Sequence, residues 1–240
     1  MLARLPARPR AVLLDAFGTL VALEPPRERL RARLREAAGI DVPAAVAGAA
    51  FRAEIAHYIA HHLEGRDAES LDRLRDDCAR VLHEALGDAG RGIERPVVRQ
   101  ALLDSLRFDA FADAPPALHA LRAGGLRLVV ASNWDCSLPE VLADAGLLDL
   151  VDAVVPSAVA GTAKPGAALF AAAIEAAGCR PDEAIHVGDS IDNDLAGATA
   201  AGVAALLLVR SGAVPPGVAA IRSLAELPAV LGAAGRMLDR

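Results

Sequence analysis

The sequence predicts an α/β fold, a doubly wound parallel sheet, with an all-helical module inserted after the first strand. Three observations carry this. Short apolar runs, at residues 11–14, 126–131 and 184–187 among others, alternate with helical stretches of about ten residues. Residues 27–106 break that rhythm, with helical periodicities and no convincing strand. Polar clusters follow four of the strand runs, where open α/β sheets place their ligands.

The elements follow in order. The run 11–14 empties into Asp15-Ala16-Phe17-Gly18-Thr19-Leu20, a strand ending in a tight loop that Gly18 allows to turn sharply. Pro25-Pro26 ends this piece. In the insertion, Val46, Ala49, Ala53, Ala56, Ile59, Ala60 and Leu63 recur every three or four residues, predicting one apolar stripe on a helix closed by Gly65. Asp67 is placed to cap a second helix, with the stripe Leu71, Leu74, Cys78, Val81 or Leu82, and Ala85, ended by Gly87, Gly90 and Gly92. Pro96 suits the first turn of a third. From Phe108 on, strand and helix alternate. Pro115-Pro116 opens a helix that Gly124-Gly125 stops, and 126–131 is a strand. Ser137-Leu138-Pro139-Glu140 matches a capping box before a helix ended by Gly146. Strands at 151–155, 184–187 and 203–209 alternate with helices at 165–177 and 195–201, and Ser223-Leu224-Ala225-Glu226 repeats the capping signal before a last helix. Such alternation implies right-handed crossovers and a parallel sheet covered on both faces.

Composition narrows the function. A chain of 240 residues that is 54% hydrophobic can bury a sizeable core. A net charge of −6 argues against nucleic acid and anionic membrane surfaces as partners. No apolar run approaches a bilayer span, and the N-terminus lacks the hydrophobic region of a signal peptide. Cys78, Cys136 and Cys179 are scattered without metal-like spacing, which points to reduced thiols and a cytoplasmic location.

The chemistry collects at four strand ends. Beside Asp15 stand Ser132-Asn133-Trp134-Asp135, then Gly161-Thr162-Ala163-Lys164-Pro165, then Gly188-Asp189-Ser190-Ile191-Asp192-Asn193-Asp194. Parallel strands bring their carboxyl ends to one edge, so Asp15, Asp189 and Asp194 are expected near one another. Clustered carboxylates raise one another's pKa unless a cation sits among them, and hard oxygen ligands suit Mg²⁺. Lys164 supplies one mobile positive charge, Ser132 a hydroxyl donor, and Thr19 a hydroxyl able to bond the acid or the loop.

These four segments resemble the motifs of the haloacid-dehalogenase-like (HAD) hydrolase superfamily. DAFGTL at 15–20 resembles motif I, the apolar run ending in Ser132-Asn133 motif II, Lys164-Pro165 motif III, and VGDSIDND at 187–194 motif IV. The match runs in order along the whole chain. The helical insertion stands where subfamily I carries its C1-type cap. The resemblance therefore implies a Rossmann-like core at residues 1–20 and 109–240 and a cap at 21–108. It implies that Asp15 is an aspartate nucleophile forming a covalent intermediate later hydrolysed by water. Ser132 and Asn133 belong to the segment that holds the transferred group, and Lys164 neutralises charge on nucleophile and substrate. Mg²⁺ would be held by Asp15, the backbone carbonyl of Phe17, Asp189 and Asp194, the last directly or through water. The implied function is a Mg²⁺-dependent phosphatase acting on a small phosphorylated metabolite.

Phe17 departs from that pattern. Phosphatases of the family usually carry there a second aspartate, acid for the leaving group and base for water, which phenylalanine cannot replace. Dehalogenases of the family lack that acid because halide leaves unprotonated, but they work without metal and as a rule do not keep the Gly-Asp pair present here at 188–189. Two alternatives follow: a 2-haloacid dehalogenase-type C–X hydrolase, and a catalytically weak HAD-like protein that binds phosphate and metal. Elsewhere, Asp135 and Asp192 read as solvated helix-cap acids, Trp134 as an entrance or packing residue, and His186 as a buried, satisfied histidine. His57, His61 and Glu64 share a helical face, as do Tyr58 and His62, mainly a solvated face and secondarily a site for metal or substrate. One of His57, Tyr58, His61 or Arg66 is a candidate for substrate contact.

Overall fold

The computed structural model describes residues 5–236. It divides into two compact units, one formed by residues up to Ala22 and from Ala110 onward, the other by Leu23–Asp109.

The first unit is built on a six-stranded parallel sheet. Its strands are β1 (Ala11–Leu14), β4 (Arg127–Ser132), β5 (Ala153–Pro156), β6 (Ala184–Gly188), β7 (Ala204–Leu208) and β8 (Ala220–Ile221), in the spatial order β5-β4-β1-β6-β7-β8. The chain grows outward from β1 to β4 and β5, then returns to the other side of β1 with β6. The strand order therefore reverses at β1, and in open α/β sheets the ligand crevice opens at that reversal, beyond the carboxyl ends. Register places Leu14 level with Val130 on one side and Val187 on the other. Asp15 is the first residue past both pairs.

All four residues of β1 are fully buried, as a central strand covered on both faces requires. On one face Ala11, Leu13, Val129 and Ala131 meet α8 (Ala167–Ala177) through Leu169, Phe170 and Ala173. The alternate residues Val12, Leu14, Leu128 and Val130 are buried on the opposite face, where α5 (Ala114–Ala123) packs on β4.

The second unit holds four helices, α1 (Pro26–Ala38), α2 (Ala44–His61), α3 (Ala68–Leu86) and α4 (Arg95–Ser105), around Leu30, Leu34, Phe51, Leu74, Leu82, Val98 and Leu102. Asp67 caps α3 as expected, accepting from the Ser70 amide at 2.8 Å. The stripe on α2 is out of phase with expectation: Ala47, Ala50, Phe51 and Glu54 face inward, and Ile59 is 64% exposed. Alanine surrounds this helix, so apolar spacing alone could not choose its inner face. On α3, Leu82 is the buried one of the two alternatives, and Leu86 is buried in place of the expected Ala85, which is exposed. The sequence reading missed the two-residue β8 and two further strands, β2 (Val21–Leu23) and β3 (Phe108–Ala110). These last two pair where the chain leaves and re-enters the first unit and are only three residues each.

Candidate active site

The site is assembled where β1, β4 and β6 end. Past Leu14, the Asp15 amide still donates to Val187 O at 2.9 Å, so the carboxyl is carried on a rigid strand. The chain then reverses. Leu20 and Val21 donate to Ala16 O at 2.8 and 2.9 Å, and Gly18 N donates to Val21 O at 2.9 Å. The planar trans peptide turns the Phe17 carbonyl away from that bond. Gly18 has φ +78°, and a Cβ there would lie 2.1 Å from Asp189 Oδ2. Only glycine suits both the conformation and the approach of Asp189.

Asp15 Oδ1 accepts from Ser132 Oγ at 2.8 Å, and Lys164 Nζ donates to the same oxygen. Lys164 also donates to Asp194 Oδ1 at 2.7 Å. Its backbone is fixed by Asn133, whose Oδ1 accepts from Lys164 N at 2.7 Å while Nδ2 donates to Lys164 O at 3.1 Å. Asp194 is itself held from two further directions: Ser190 N donates to Oδ2 at 2.9 Å, and His186 Nε2 lies 2.8 Å from Oδ1. The protonated Nε2 tautomer satisfies that bond. Gly188 makes room for this arrangement, since a Cβ there would come within 2.2 Å of Asp194 Cγ.

Asp15, Asp189 and Asp194 can bring ligand oxygens within 4.8 Å of one another. Burial pushes the Asp15 carboxyl above its ordinary value, against the opposing charge of Lys164, and Asp194 adds to the rise. Asp189 is raised to about 6, first by burial and then by the charges of Asp15 and Asp194. Asp194 goes the other way: burial would raise it, but the His186 hydrogen bond and the Lys164 charge hold it below the usual carboxylate range. Lys164 is pushed down by burial, yet Asp15 and Asp194 prevail and keep it charged. Three carboxylates thus face one ammonium. The residues fit a hard divalent cation, which would relieve the excess negative charge.

The predicted residues Asp15, Phe17, Ser132, Asn133, Lys164, Asp189 and Asp194 all come to this one sheet edge. Thr19 does not bond the acid: its Oγ1 is buried and has no hydrogen-bond partner among the described residues. Asp135 is not a solvated cap. It is buried, with Oδ1 accepting from Ser137 N at 2.8 Å and Ser137 Oγ at 2.6 Å. Ser137, so engaged, provides no side-chain cap for α6 (Leu138–Asp144), whereas the Ser223–Glu226 capping box forms. Asp192 is exposed, as expected, and Trp134 is buried. His186 is buried but only half satisfied, with no hydrogen-bond partner for Nδ1 among the described residues. In the helical unit, His61 Nδ1 lies 2.8 Å from Glu64 Oε1, and the His57 and His61 rings lie 4.3 Å apart. The acidic triad at the sheet edge is the one metal-ligating cluster found among the described residues, so the helical histidines do not form one.

Sequence reasoning missed Arg210. It donates through Nε to Gly18 O at 3.2 Å and through Nη2 to Thr19 O at 2.6 Å. Nothing near Arg210 in the sequence marks it, because the turn it holds lies 191 to 192 positions away.

An α/β sheet with an aspartate at its reversal point, a buried lysine and paired acids defines a hydrolase site of the HAD type. The haloacid dehalogenase-like hydrolase family model matches residues 9–202, and the chain belongs to that family. It is 29% identical over 206 residues to the bovine haloacid dehalogenase-like hydrolase domain-containing protein 3, covering 83% of this chain and 81% of the relative. It is 36% identical over 160 residues to the phosphatase MT3486 of Mycobacterium tuberculosis, covering 64% and 72%. An L-2-haloacid dehalogenase structure from Xanthobacter autotrophicus superposes with a TM-score of 0.67 over 93% of this chain and 98% of that one. At 20% identity, this last likeness speaks for the fold alone.

Proposed function

We propose that the protein is a Mg²⁺-dependent phosphatase that hydrolyses a small phosphorylated metabolite through an aspartyl-phosphate at Asp15. The observation that carries this reading is the triad Asp15, Asp189 and Asp194 facing the buried Lys164. A metal-free C–X hydrolase has no use for three converging acids. Similarity to a protein named as a phosphatase supports the same choice.

In this reading Asp15, Asp189 and the Phe17 carbonyl would hold Mg²⁺, and Asp194, whose oxygens already serve Lys164, His186 and Ser190, would contribute through water. The bound ion would screen negative charge between the nucleophile and the phosphoryl group. Asp15 attacks phosphorus as the ester P–O bond breaks and the leaving oxygen takes a proton from solvent. Lys164 and Ser132 orient the carboxylate and meet the phosphoryl oxygens. Water then attacks phosphorus, releasing phosphate and restoring Asp15. Asn133 acts by fixing the backbone that carries Lys164. Residues 21–108 act as a C1-type cap that selects the substrate, the remainder being the core. A panel of phosphate esters, assayed with and without Mg²⁺, tests the reading. Turnover that needs Mg²⁺ is expected; no turnover together with no beryllofluoride binding would end it.

Phe17 favours a second reading. The residue is 51% exposed at the position where a phosphatase would place an acid. General acid–base help is typically worth about 10²–10⁴-fold, so catalysis here is expected to be slow or confined to good leaving groups. Metal-independent halide release from a 2-haloacid would establish the dehalogenase-type alternative instead.

A further inference from the structure

The Asp15–Leu20 turn must hold its shape against a cluster of like charges, and Arg210, outside the motifs, grips its backbone. Arg210 follows β7 on the far side of β6. Four N–H bonds of its guanidinium are spoken for: Nε to Gly18 O, Nη2 to Thr19 O, and Nη1 and Nη2 to the two oxygens of Asp113 at 3.1 and 3.0 Å. The guanidinium carbon also lies 3.6 Å from the Phe111 ring centroid. Asp113 is in turn anchored by Ser223 Oγ at 2.6 Å and Leu224 N at 2.9 Å. Phe111 ties back to the same turn, its amide donating to Leu20 O at 3.0 Å. Ion pair, stacking and carbonyl contacts therefore converge on one planar group, a combination that lysine cannot reproduce.

We infer that Arg210 is a positioning residue: clamped by Asp113 and Phe111, it fixes the peptide units at Gly18 and Thr19. Through them it sets the direction of the Phe17 carbonyl and the approach of Asp189. Gly18 carries the inference, because the residue whose carbonyl Arg210 holds is the one against whose Cα the Asp189 carboxylate packs. The consequence for catalysis rests on the phosphatase reading above; the consequence for the turn does not.

Arg210→Lys keeps the charge and loses the fork, and Asp113→Asn loosens the clamp from behind. Amide hydrogen exchange of residues 16–21 is measured in the metal-free protein, beside kcat, KM and the melting temperature. In Arg210→Lys, exchange at the Gly18 and Val21 amides is expected to rise roughly tenfold or more as the turn opens locally. On an ester the wild type hydrolyses, kcat is expected to fall about 10–100-fold, the scale of a small misplacement of reacting groups, with KM changed less than about threefold. Methylguanidinium is expected to restore part of the activity of Arg210→Ala, since Arg210 borders an open cleft of about 340 Å³. Exchange within about twofold of wild type in both conservative variants overturns the inference, even if the protein proves to be no phosphatase. So does a loss of kcat in which Arg210→Lys and Asp113→Asn track the fall in melting temperature alone.

Discussion

Asp15 and Phe17 sit two residues apart on one turn and set opposite bounds on the chemistry. Asp15 stands in the charge cluster, bonded to Ser132 and Lys164. Phe17, half-exposed on the same turn, carries an aromatic ring that can transfer no proton. Phe17→Asp is therefore expected to raise phosphoester turnover at least about tenfold, inside the range that general acid–base assistance usually supplies. Steady-state rates over a series of leaving groups check this, and the gain should be largest for the poorest ones. Unchanged rates across the series would show that another group already supplies the proton. Phe17 was conspicuous in the sequence as a misfit within motif I, and both its readings depended on chemistry rather than geometry. Thr19, by contrast, was misjudged, because whether a hydroxyl next to an acid reaches it depends on a turn that spacing does not specify.

At the scale of elements, the strands and the loops behind them explain why four distant segments meet. The strand runs at 11–14, 126–131, 184–187 and 203–209 were legible within a residue or two, since central strands of a parallel sheet are apolar throughout. Their common edge followed from parallelism. Less could be read where burial is not a matter of hydropathy. Alanine around α2 hid the face that carries Glu54 inward, and Asp135 looked like any cap acid until the fold buried it beside Ser137. Arg210 and Asp113, separated by 97 positions, belong to no motif at all. Gly188 shows how closely element and site are coupled. Its missing Cβ is space occupied by Asp194, so Gly188→Ala forces the carboxylate off His186 and Lys164. Such overpacking typically costs about 1–3 kcal/mol. Chemical denaturation should show a loss of that size, together with loss of Mg²⁺ affinity by calorimetry; a variant as stable and as tight as wild type would refute the packing argument.

At the scale of the whole molecule, one further acid among the described residues is buried away from the sheet edge. Glu54 lies in the helical unit, and burial lifts its pKa from 4.5 to about 7 against a hydrogen bond with Cys78. The folded state therefore binds a proton that the unfolded chain releases between about pH 4.5 and 7. Stability is expected to fall as pH rises through that window and to level off above it. The rise from 4.5 to about 7 corresponds to roughly 3.5 kcal/mol at about 1.4 kcal/mol per tenfold. Denaturation between pH 5 and 8 measures the slope, and Glu54→Gln should flatten it; an equal slope in the variant would place its origin elsewhere. Among the described residues no helix is long and apolar enough to cross a membrane.

The proposed reaction depends above all on Asp15 accepting a phosphoryl group. Acid quenching during turnover, followed by mass spectrometry of the peptide containing Asp15, observes that step directly. A phosphoryl adduct is expected on that peptide in the presence of Mg²⁺ and substrate, and none in Asp15→Asn, whose turnover falls at least about a thousandfold. Phosphatase turnover that persists in Asp15→Asn, with no adduct in the wild type, would contradict that step.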